Sequence, residues 1–439
     1  MARHFERIIL ALVLLALSLS MYGQSGEAYG AYSPYSIFGI GDIAKEGTAY
    51  NRSMGGVGIA ARNRRFVNYV NPAAITARDS LSFMADFGLT QNNKIYAQDI
   101  LGQRHKSGNN TFNISDLVLS FPIWRSSAMI IGLSPFSDVG YGFNYSETDP
   151  EIVGKVGNLD YETYGEGSVY QLFVGAAATF WKRLSVGAQF NYYFGTLTKV
   201  YNVKYTDSSV GSVNSGYNMV LRGAGGKFGL QYDQPLGGDV KMTIGATYRL
   251  KSSLKGDVEK YTYVSRSSVT DTIPDYTKNI DMSGVCISDE LGVGISVKGG
   301  EKWSVEFDYL RSGWNQTGIG SKEGFSANGF SATASHSFRA GFEIVPNRND
   351  IRYYLRRCAY RAGLYYDRSY YKLDGNNVDA YGLTFGFTLP VFRFYNGLSF
   401  GLDLGQRGSL KNGMVRENYI NFSIGFNIHD IWFQKPRYE

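Results

Sequence analysis

The sequence predicts an all-β fold, a transmembrane antiparallel β-barrel of about 14 strands with an N-terminal plug (hatch) segment. Segments in which apolar and polar residues alternate follow one another from about residue 80 to the C terminus. The polar face of these segments is rich in glycine, and the 439 residues include 53 Gly, 34 Tyr and 27 Phe. Short and long connections alternate between the segments, as they do in outer-membrane barrels.

The composition excludes several other classes of protein. Charged residues make up 19% of the chain and the formal net charge is +6 without a basic cluster, so we expect no nucleic-acid partner. Past the N-terminal region no apolar run approaches the roughly 18 residues that a membrane helix requires. With 2 Cys and 4 scattered His, the sequence predicts no disulfide scaffold, no metal site and no cofactor.

Residues 1–23 have the pattern of a secretory signal peptide. Arg3 and Arg7 precede an apolar run from Ile8 to Leu17, and small and polar residues follow as far as Gln24. The apolar run is too short to span a membrane. We therefore expect cleavage near residue 23 and a mature chain outside the cytoplasm. Together with the barrel pattern, this predicts the outer membrane of a Gram-negative bacterium.

Residues 24–79 lack the alternation of strands and predict a hatch on the periplasmic side of the barrel or in its lumen. Paired glycines and an Asn-Pro step indicate a compact, turning backbone. A segment of this size can plug a lumen that side chains alone do not fill. The residues that we expect to form the hatch or gate are Gly55, Gly56, Gly58, Asn71, Pro72 and Ala73.

Residues 80–439 predict the barrel itself. The longer connections, such as 91–109 and 370–377, are expected to be extracellular loops, and short ones, such as 346–350, periplasmic turns. An even number of strands places both termini in the periplasm. The predicted strands lie near 80–90, 110–121, 127–146, 161–180, 184–206, 218–232, 240–262, 280–297, 302–315, 331–345, 351–369, 378–389, 396–408 and 417–430.

The alternation also assigns a face to each side chain. Phe385 is expected to face lipid, Cys286 the lumen and Cys358 lipid, so the two thiols should be free. Charged residues on the lumen-facing side could anchor Arg62, Arg64 and Arg65 of the hatch, or could line a water-filled lumen where charge costs little. These lumen-facing polar residues are Glu306, Asp308, Arg339, Glu343 and Asp403.

Five tryptophans are interpreted as part of the aromatic girdle at the membrane interfaces. They are Trp124, Trp181, Trp303, Trp314 and Trp432. The stretch Gly397–Gly401 matches the G-x-S-x-G motif of serine hydrolases, but Ser399 lies in the middle of an alternating strand instead of on a strand-to-helix elbow. We therefore expect no enzyme.

The glycine-rich stretch 53–60, followed by Asn71-Pro72-Ala73 just before the first strand, resembles the N-terminal hatch of the FadL family. The opening 33–42 and the ending 430–435 are similar to those of Bacteroidetes FadL-like outer-membrane proteins. The resemblance implies a fourteen-stranded barrel that carries hydrophobic compounds, long-chain fatty acids in particular. The run 62–65 is basic here, where the family has acidic residues.

Two functions follow from this sequence. The first is a channel for passive transport of a hydrophobic, fatty-acid-like small molecule; the alternative is a structural or accessory subunit of an outer-membrane secretion or protein-assembly complex. An apolar pocket that continues from the extracellular loops into the lumen would favour transport, and a lumen packed shut would favour the accessory role. The expected partners are outer-membrane lipid, a hydrophobic ligand and, for the alternative, other outer-membrane proteins.

Overall fold

The computed structural model of the chain describes residues 32–79, 81–100, 102–124, 126–205, 211–266, 269–272, 280–391 and 397–431. The predicted signal peptide and Trp432 lie outside these residues. No helix in the described ranges is long and apolar enough to cross a membrane.

The strands form a closed antiparallel barrel of 14, as predicted, and each one has its predicted counterpart in the same order. The ladder between the last and first strands closes the barrel, from Ile431 opposite Ser82 to Arg416 opposite Ala97. The strands are β1 Ser82–Ile100, β2 Gln103–Trp124, β3 Ser127–Ser146, β4 Leu159–Phe180, β5 Leu184–Tyr205, β6 Ser212–Gly237, β7 Val240–Arg249 with Ser252–Arg266, β8 Val269–Thr272 with Cys286–Ile287 and Glu290–Gly299, β9 Trp303–Ser312, β10 Phe330–Ala332 with Ser335–Ile344, β11 Ala359–Leu373, β12 Asn376–Pro390, β13 Gly397–Arg407 and β14 Arg416–Ile431.

Several short helices are not part of the barrel wall. Three of them belong to residues 32–79, and the others lie in connections between strands. They are Pro34–Ile37, Ala49–Arg52, Pro72–Thr76, Pro150–Val156, Trp314–Gln316 and Tyr354–Arg357. Because the number of strands is even, β1 begins and β14 ends at one end of the barrel, which we call the periplasmic end after its predicted orientation; the opposite end is the extracellular end.

The predicted connections 91–109 and 370–377 are wrong. β1 and β2 continue as a paired hairpin through this asparagine-rich stretch, as far as Ile100 opposite Gln103. Alternation fades here because polar side chains occupy both faces where the hairpin extends away from the apolar band. The turn from β11 to β12 is Asp374-Gly375, and both residues have positive φ, as a tight two-residue hairpin turn requires.

The predicted linker 346–350 is too short, and the strand predicted to begin at residue 351 begins later. β10 ends at Ile344 and β11 starts at Ala359, and the helix Tyr354–Arg357 lies between them. Ile351, Tyr353 and Leu355 alternate with Arg352 and Arg356, which explains why the sequence pattern resembled a strand.

The predicted faces hold for Phe385, which is exposed on the outer wall, and for its neighbour Thr384, which is buried in the lumen. Both cysteines are free, as predicted. The prediction that Cys358 faces lipid is wrong: it precedes β11 and is buried, and its Sγ lies 3.7 Å from the carbonyl oxygen of Tyr354.

Three of the predicted girdle tryptophans are exposed at the periplasmic end, where β2 and β4 end and β9 begins. These are Trp124, Trp181 and Trp303. The prediction is wrong for Trp314, which is buried at the extracellular end and stacks on Tyr370 with 4.8 Å between the ring centroids.

An arginine at Phe385 is expected to lower the free energy of unfolding of the membrane-inserted barrel by about 2–4 kcal/mol, the cost of a guanidinium near the bilayer midplane. Ile123→Arg is the matched control, because Ile123 is also an exposed outer residue but lies at the periplasmic rim, where the cost falls to about 0–1 kcal/mol. Urea unfolding in lipid vesicles measures both. Equal losses would contradict the position of Phe385 in the apolar band.

Candidate functional site

Residues 32–79, which we call the hatch, lie inside the barrel and contact its inner wall. The two-residue strand Asp42–Ile43 pairs with Asp138 and Ser137 of β3. The helix Pro72–Thr76 packs against β4, β5 and β6. Most hatch side chains between residues 47 and 75 are buried, so the hatch fills the lumen at this level.

Inward-facing glycines of the wall make room for the backbone of the hatch. A Cβ atom at any of six such positions would clash with hatch atoms, from Ser53 through Ile59 to Pro72. Close approach of two backbones is a common reason for glycine inside a strand, and it explains the glycine-rich polar face of the sequence. The six positions are Gly187, Gly229, Gly245, Gly341, Gly363 and Gly386.

Gly55 and Gly56 turn the hatch against β10, β11 and β12. Their φ angles are +72° and +85°, in the left-handed region that favours glycine. The amide of Gly55 donates to Oγ1 of Thr384 at 2.7 Å, and the carbonyl of Gly56 accepts from Nη1 of Arg339 at 3.1 Å. The wall therefore binds this turn through polar side chains.

Asp308 binds the next part of the hatch. Its Oδ2 accepts the backbone amides of Gly58 and Ile59 at 2.7 and 2.9 Å, and the side chain is buried. Glu306, two residues earlier on the same inward face, is also buried. Two amide donors on one carboxylate oxygen anchor the hatch to β9 through charge-assisted hydrogen bonds.

The basic run of the hatch binds other partners than those predicted. Arg62 pairs with Asp233 at 3.2 Å, Arg65 pairs with Glu301 at 3.0 Å, and Arg64 lies 3.9 Å from Asp79. Asp308 and Arg339 do contact the hatch, but their side chains bind its backbone groups and not its arginines. Predicting the partner of a wall residue from opposite charge was therefore wrong.

Glu343 and Asp403 each accept a hydrogen bond from a wall side chain that contacts the hatch. Glu343 accepts from Nε of Arg361 at 2.8 Å, and the Arg361 guanidinium lies 4.4 Å from the ring centroid of Tyr50 in the hatch. A cation over an aromatic face is attracted to it, so Glu343 holds Arg361 against the hatch. Asp403 accepts from the Tyr365 hydroxyl at 2.7 Å, and Lys45 of the hatch lies over that ring.

Asn71 is both a helix cap and a cross-link within the lumen. Its Oδ1 accepts from the amide of Ala73 at 2.9 Å, which caps the helix that Pro72 begins. Its Nδ2 donates to the hatch carbonyl of Ile59 at 2.7 Å and to the wall carbonyl of Leu230 at 3.2 Å. Asn71, Pro72 and Ala73 therefore form one tight element that joins two parts of the hatch.

A buried charge network that the sequence did not single out holds the other part of the hatch. Arg407 of β13 binds Asp42 at 2.7 Å, Glu417 of β14 at 2.9 Å and the hydroxyl of Ser33 at 2.6 Å. Asp42 belongs to the hatch and does not span the membrane. Burial alone would raise the pKa of its carboxyl, but the Arg407 guanidinium holds that pKa below its ordinary value.

A second network links Glu46 of the hatch to Lys227 and to Arg249, with Arg249 in turn 3.3 Å from Glu290. The wall members of both networks are lumen-facing by strand alternation, so the same signal that selected Asp308 could have found them. Asp42 and Glu46 lie in a segment without periodicity and carried no such signal.

The extracellular end is closed by loops that pack on the hatch. Nζ of Lys199 donates to the hatch carbonyls of Ile37 and Gly39 and to the loop carbonyl of Gly324, at 2.8, 3.2 and 3.0 Å. The amide of Gly39 donates to the carbonyl of Phe325 at 2.9 Å. Trp314 and Phe325 belong to a buried apolar cluster at this end.

A cavity of about 650 Å³ lies between the hatch and the wall. Its lining includes Lys45 and Lys94 on the inside and also Phe112 and Ile114, whose side chains are on the outer wall and are 64% and 58% exposed. Because inner and outer wall residues line one space, the cavity passes through the wall.

The opening lies where β2 and β3 separate. Their ladder runs from Trp124 opposite Ser127 only as far as Leu117 opposite Leu133. Beyond that point β2 stays paired with β1, while β3 stays paired with β4 and takes the hatch strand Asp42–Ile43 on its other edge. The wall therefore has a lateral gap in its extracellular half, and the hatch lies beside it.

A closed barrel with an internal hatch and a lateral gap defines an outer-membrane barrel with the fold of the FadL channels. The structure is similar to the P. putida toluene transporter TodX (TM-score 0.60, 16% identity, 89% of this chain and 100% of that one). It is also similar to the Ralstonia pickettii toluene transporter TbuX (0.56, 15%, 87% and 98%) and to a Pseudomonas aeruginosa FadL homologue (0.57, 11%, 89% and 99%).

At the level of sequence, the family model of BamG matches residues 2–439, so the chain belongs to the BamG family. The comparison with curated proteins gives no match.

Proposed function

We propose that the protein is a passive outer-membrane channel for a hydrophobic small molecule, without reaction chemistry. The observation that carries this proposal is the cavity that opens through the wall between β2 and β3. Structures with this fold include transporters of toluene, and a lateral exit suits a ligand that is more stable in lipid than in water. We propose no enzymatic activity, because Ser399 is buried in mid-strand and bonded to Thr388.

The cavity suits an amphipathic molecule of the fatty-acid type. Its outer rim is apolar, at Phe112 and Ile114, and each CH₂ group that leaves water for lipid gains about 0.8 kcal/mol. On the inside, Lys94 forms no ion pair within 4.0 Å among the described residues, while the carboxylates of Asp42, Asp138 and Glu417 act on its charge from farther away. A ligand carboxylate beside Lys94 would leave its chain directed at the gap.

The gate in this proposal is the hatch. The strand Asp42–Ile43 covers the free edge of β3 beside the gap, and the turn at Gly55, Gly56 and Gly58 lies against the opposite wall. The element Asn71-Pro72-Ala73 joins these parts to the periplasmic side. Movement of a ligand past the hatch therefore requires some of these hydrogen bonds to break, while the wall stays intact.

Arginine at Ile114, on the rim of the gap, is expected to reduce uptake of a fluorescent fatty acid into vesicles at least about tenfold, because a charged rim excludes the chain from the path to lipid. Phe190→Arg is the control: Phe190 is similarly exposed on β5, whose ladders on both sides are continuous. Heat-modifiable migration on gels checks that both variants fold. If the Ile114→Arg variant takes up the fatty acid as fast as the wild type, the ligand does not pass through the lateral gap.

The accessory role is the second candidate, and one observation favours it. Among the described residues, an apolar cluster and the hydrogen bonds of Lys199 pack the loops of the extracellular end onto the hatch. A purified chain that takes up no fatty acid, but that co-purifies with another outer-membrane protein at a fixed ratio, would support an accessory subunit over a channel.

A further inference from the structure

The connection between β10 and β11 has an unusual surface. Residues 346–357 contain four arginines and one acidic residue, and the side chains of Ile351 and Leu355 are 99% and 58% exposed. Large apolar side chains exposed among arginines are typical of segments that lie at a membrane interface, where apolar groups enter the acyl region and cations meet head groups.

The position of the connection supports such a contact. It lies at the periplasmic end, where exposed Trp124 and Trp181 mark the level of the membrane–water interface. The hydroxyl of Tyr360, which is exposed on the outer wall, donates to the carbonyl of Leu355 at 3.0 Å. That of Tyr354 donates to Pro390, the last residue of β12, at 2.8 Å. These bonds hold the segment against the outer rim of the barrel.

The arginines are held in place by aromatic rings. The guanidinium of Arg356 lies 5.0 Å from the ring centroid of Tyr353, and that of Arg357 lies 5.4 Å from that of Tyr354. Arg352 lies 5.2 Å from the Tyr353 ring as well. A guanidinium presents a planar fork of donors that matches phosphate oxygens, and stacking on a ring reduces the freedom lost on binding.

We propose that residues 351–357 bind the head groups of anionic phospholipids in the periplasmic leaflet. Arg352, Arg356 and Arg357 bind the phosphates, and Ile351 and Leu355 enter the interface beside them. Charge favours this lipid class over a zwitterionic one, because residues 350–357 carry three arginines and one acid, Asp350, whose Oδ2 lies 3.5 Å from Nη1 of Arg356. The proposal does not depend on whether the barrel passes a ligand.

The test uses the full-length protein in neutral detergent, titrated with phosphatidylglycerol or with phosphatidylcholine, and bound lipid is measured by native mass spectrometry. The wild type is expected to prefer phosphatidylglycerol, and the triple variant Arg352→Gln/Arg356→Gln/Arg357→Gln to lose at least about tenfold in affinity for it, since each arginine near an anionic surface contributes about fivefold. Added salt should reduce the preference of the wild type.

The matched control removes three exposed charges from the extracellular end, as Arg104→Gln/Lys106→Gln/Lys411→Gln, and should leave the preference unchanged. Ile351→Asn/Leu355→Asn should weaken binding of both lipids and keep the preference between them. Equal lipid binding by the wild type and the triple variant would overturn the proposal. So would a wild type without lipid preference whose segment cross-links instead to an acidic protein that co-purifies with it.

Discussion

Arg407→Met is expected to lower the free energy of unfolding by about 3–5 kcal/mol, the cost of removing one partner from a buried ion pair. The guanidinium binds Asp42 of the hatch and Glu417, whose side chain is completely buried. Methionine has a similar length but no charge, so the completely buried Glu417 and the largely buried Asp42 would both lose their cation. Urea unfolding in lipid vesicles at neutral pH measures the loss.

Two further variants show whether the loss comes from the buried charges. Arg368→Met removes an arginine from the half-exposed pair with Asp379 and should cost about 0–1 kcal/mol. The double variant Arg407→Met/Glu417→Gln should recover part of the stability, because it also removes an unpaired buried charge. A loss for Arg407→Met no larger than that for Arg368→Met would contradict the network.

The same network predicts how the docking of the hatch depends on pH. The pKa of Asp42 is lowered in the folded protein, so its pairing contributes stability above the ordinary pKa of an aspartate, about 3.9. That contribution is lost only as the pH falls through the lower folded pKa. The ion pair therefore persists throughout the mildly acidic range.

The barrel could be predicted because each strand carries its own evidence. In β12, Phe385 and Thr384 differ in polarity since one faces lipid and the other the lumen, and this contrast is visible without knowledge of any neighbour. Residues 91–109 were misassigned because the contrast disappears where the β1–β2 hairpin is polar on both faces. Trp314 was misassigned because residue type does not distinguish an interfacial ring from one packed under a loop.

The site could be predicted only in part. Alternation placed Asp308 and Arg339 in the lumen. Their partners, however, are backbone groups of Gly56, Gly58 and Ile59, and such groups leave no signal in the sequence because every residue has a backbone. The lateral gap was not predictable either. Both strands continue past Leu117 and Leu133, and only the pairing of neighbouring strands shows that the wall is open there.

Deleting residues 32–74 is expected to raise the single-channel conductance of the barrel about tenfold or more, because a fourteen-stranded wall encloses more space than its own side chains fill. Charged wall residues that now bind the hatch, such as Asp308, Arg339 and Lys227, would line a water-filled lumen, where charge costs little. The barrel should therefore still fold and remain heat-modifiable. Planar bilayer recordings measure the conductance.

A point substitution tests the same claim with the hatch present. A Cβ atom at Gly363 would clash with Gly55 and Met54, so Gly363→Val should displace the hatch turn and raise the conductance above that of the wild type. Gly226→Val is the control, because a Cβ atom there meets nothing nearer than 3.4 Å. If the deletion and Gly363→Val both fold and conduct like the wild type, the hatch does not close the lumen. A rise in both, with Gly226→Val unchanged, assigns the closure to the contact between the glycine turn of the hatch and the glycines of the wall.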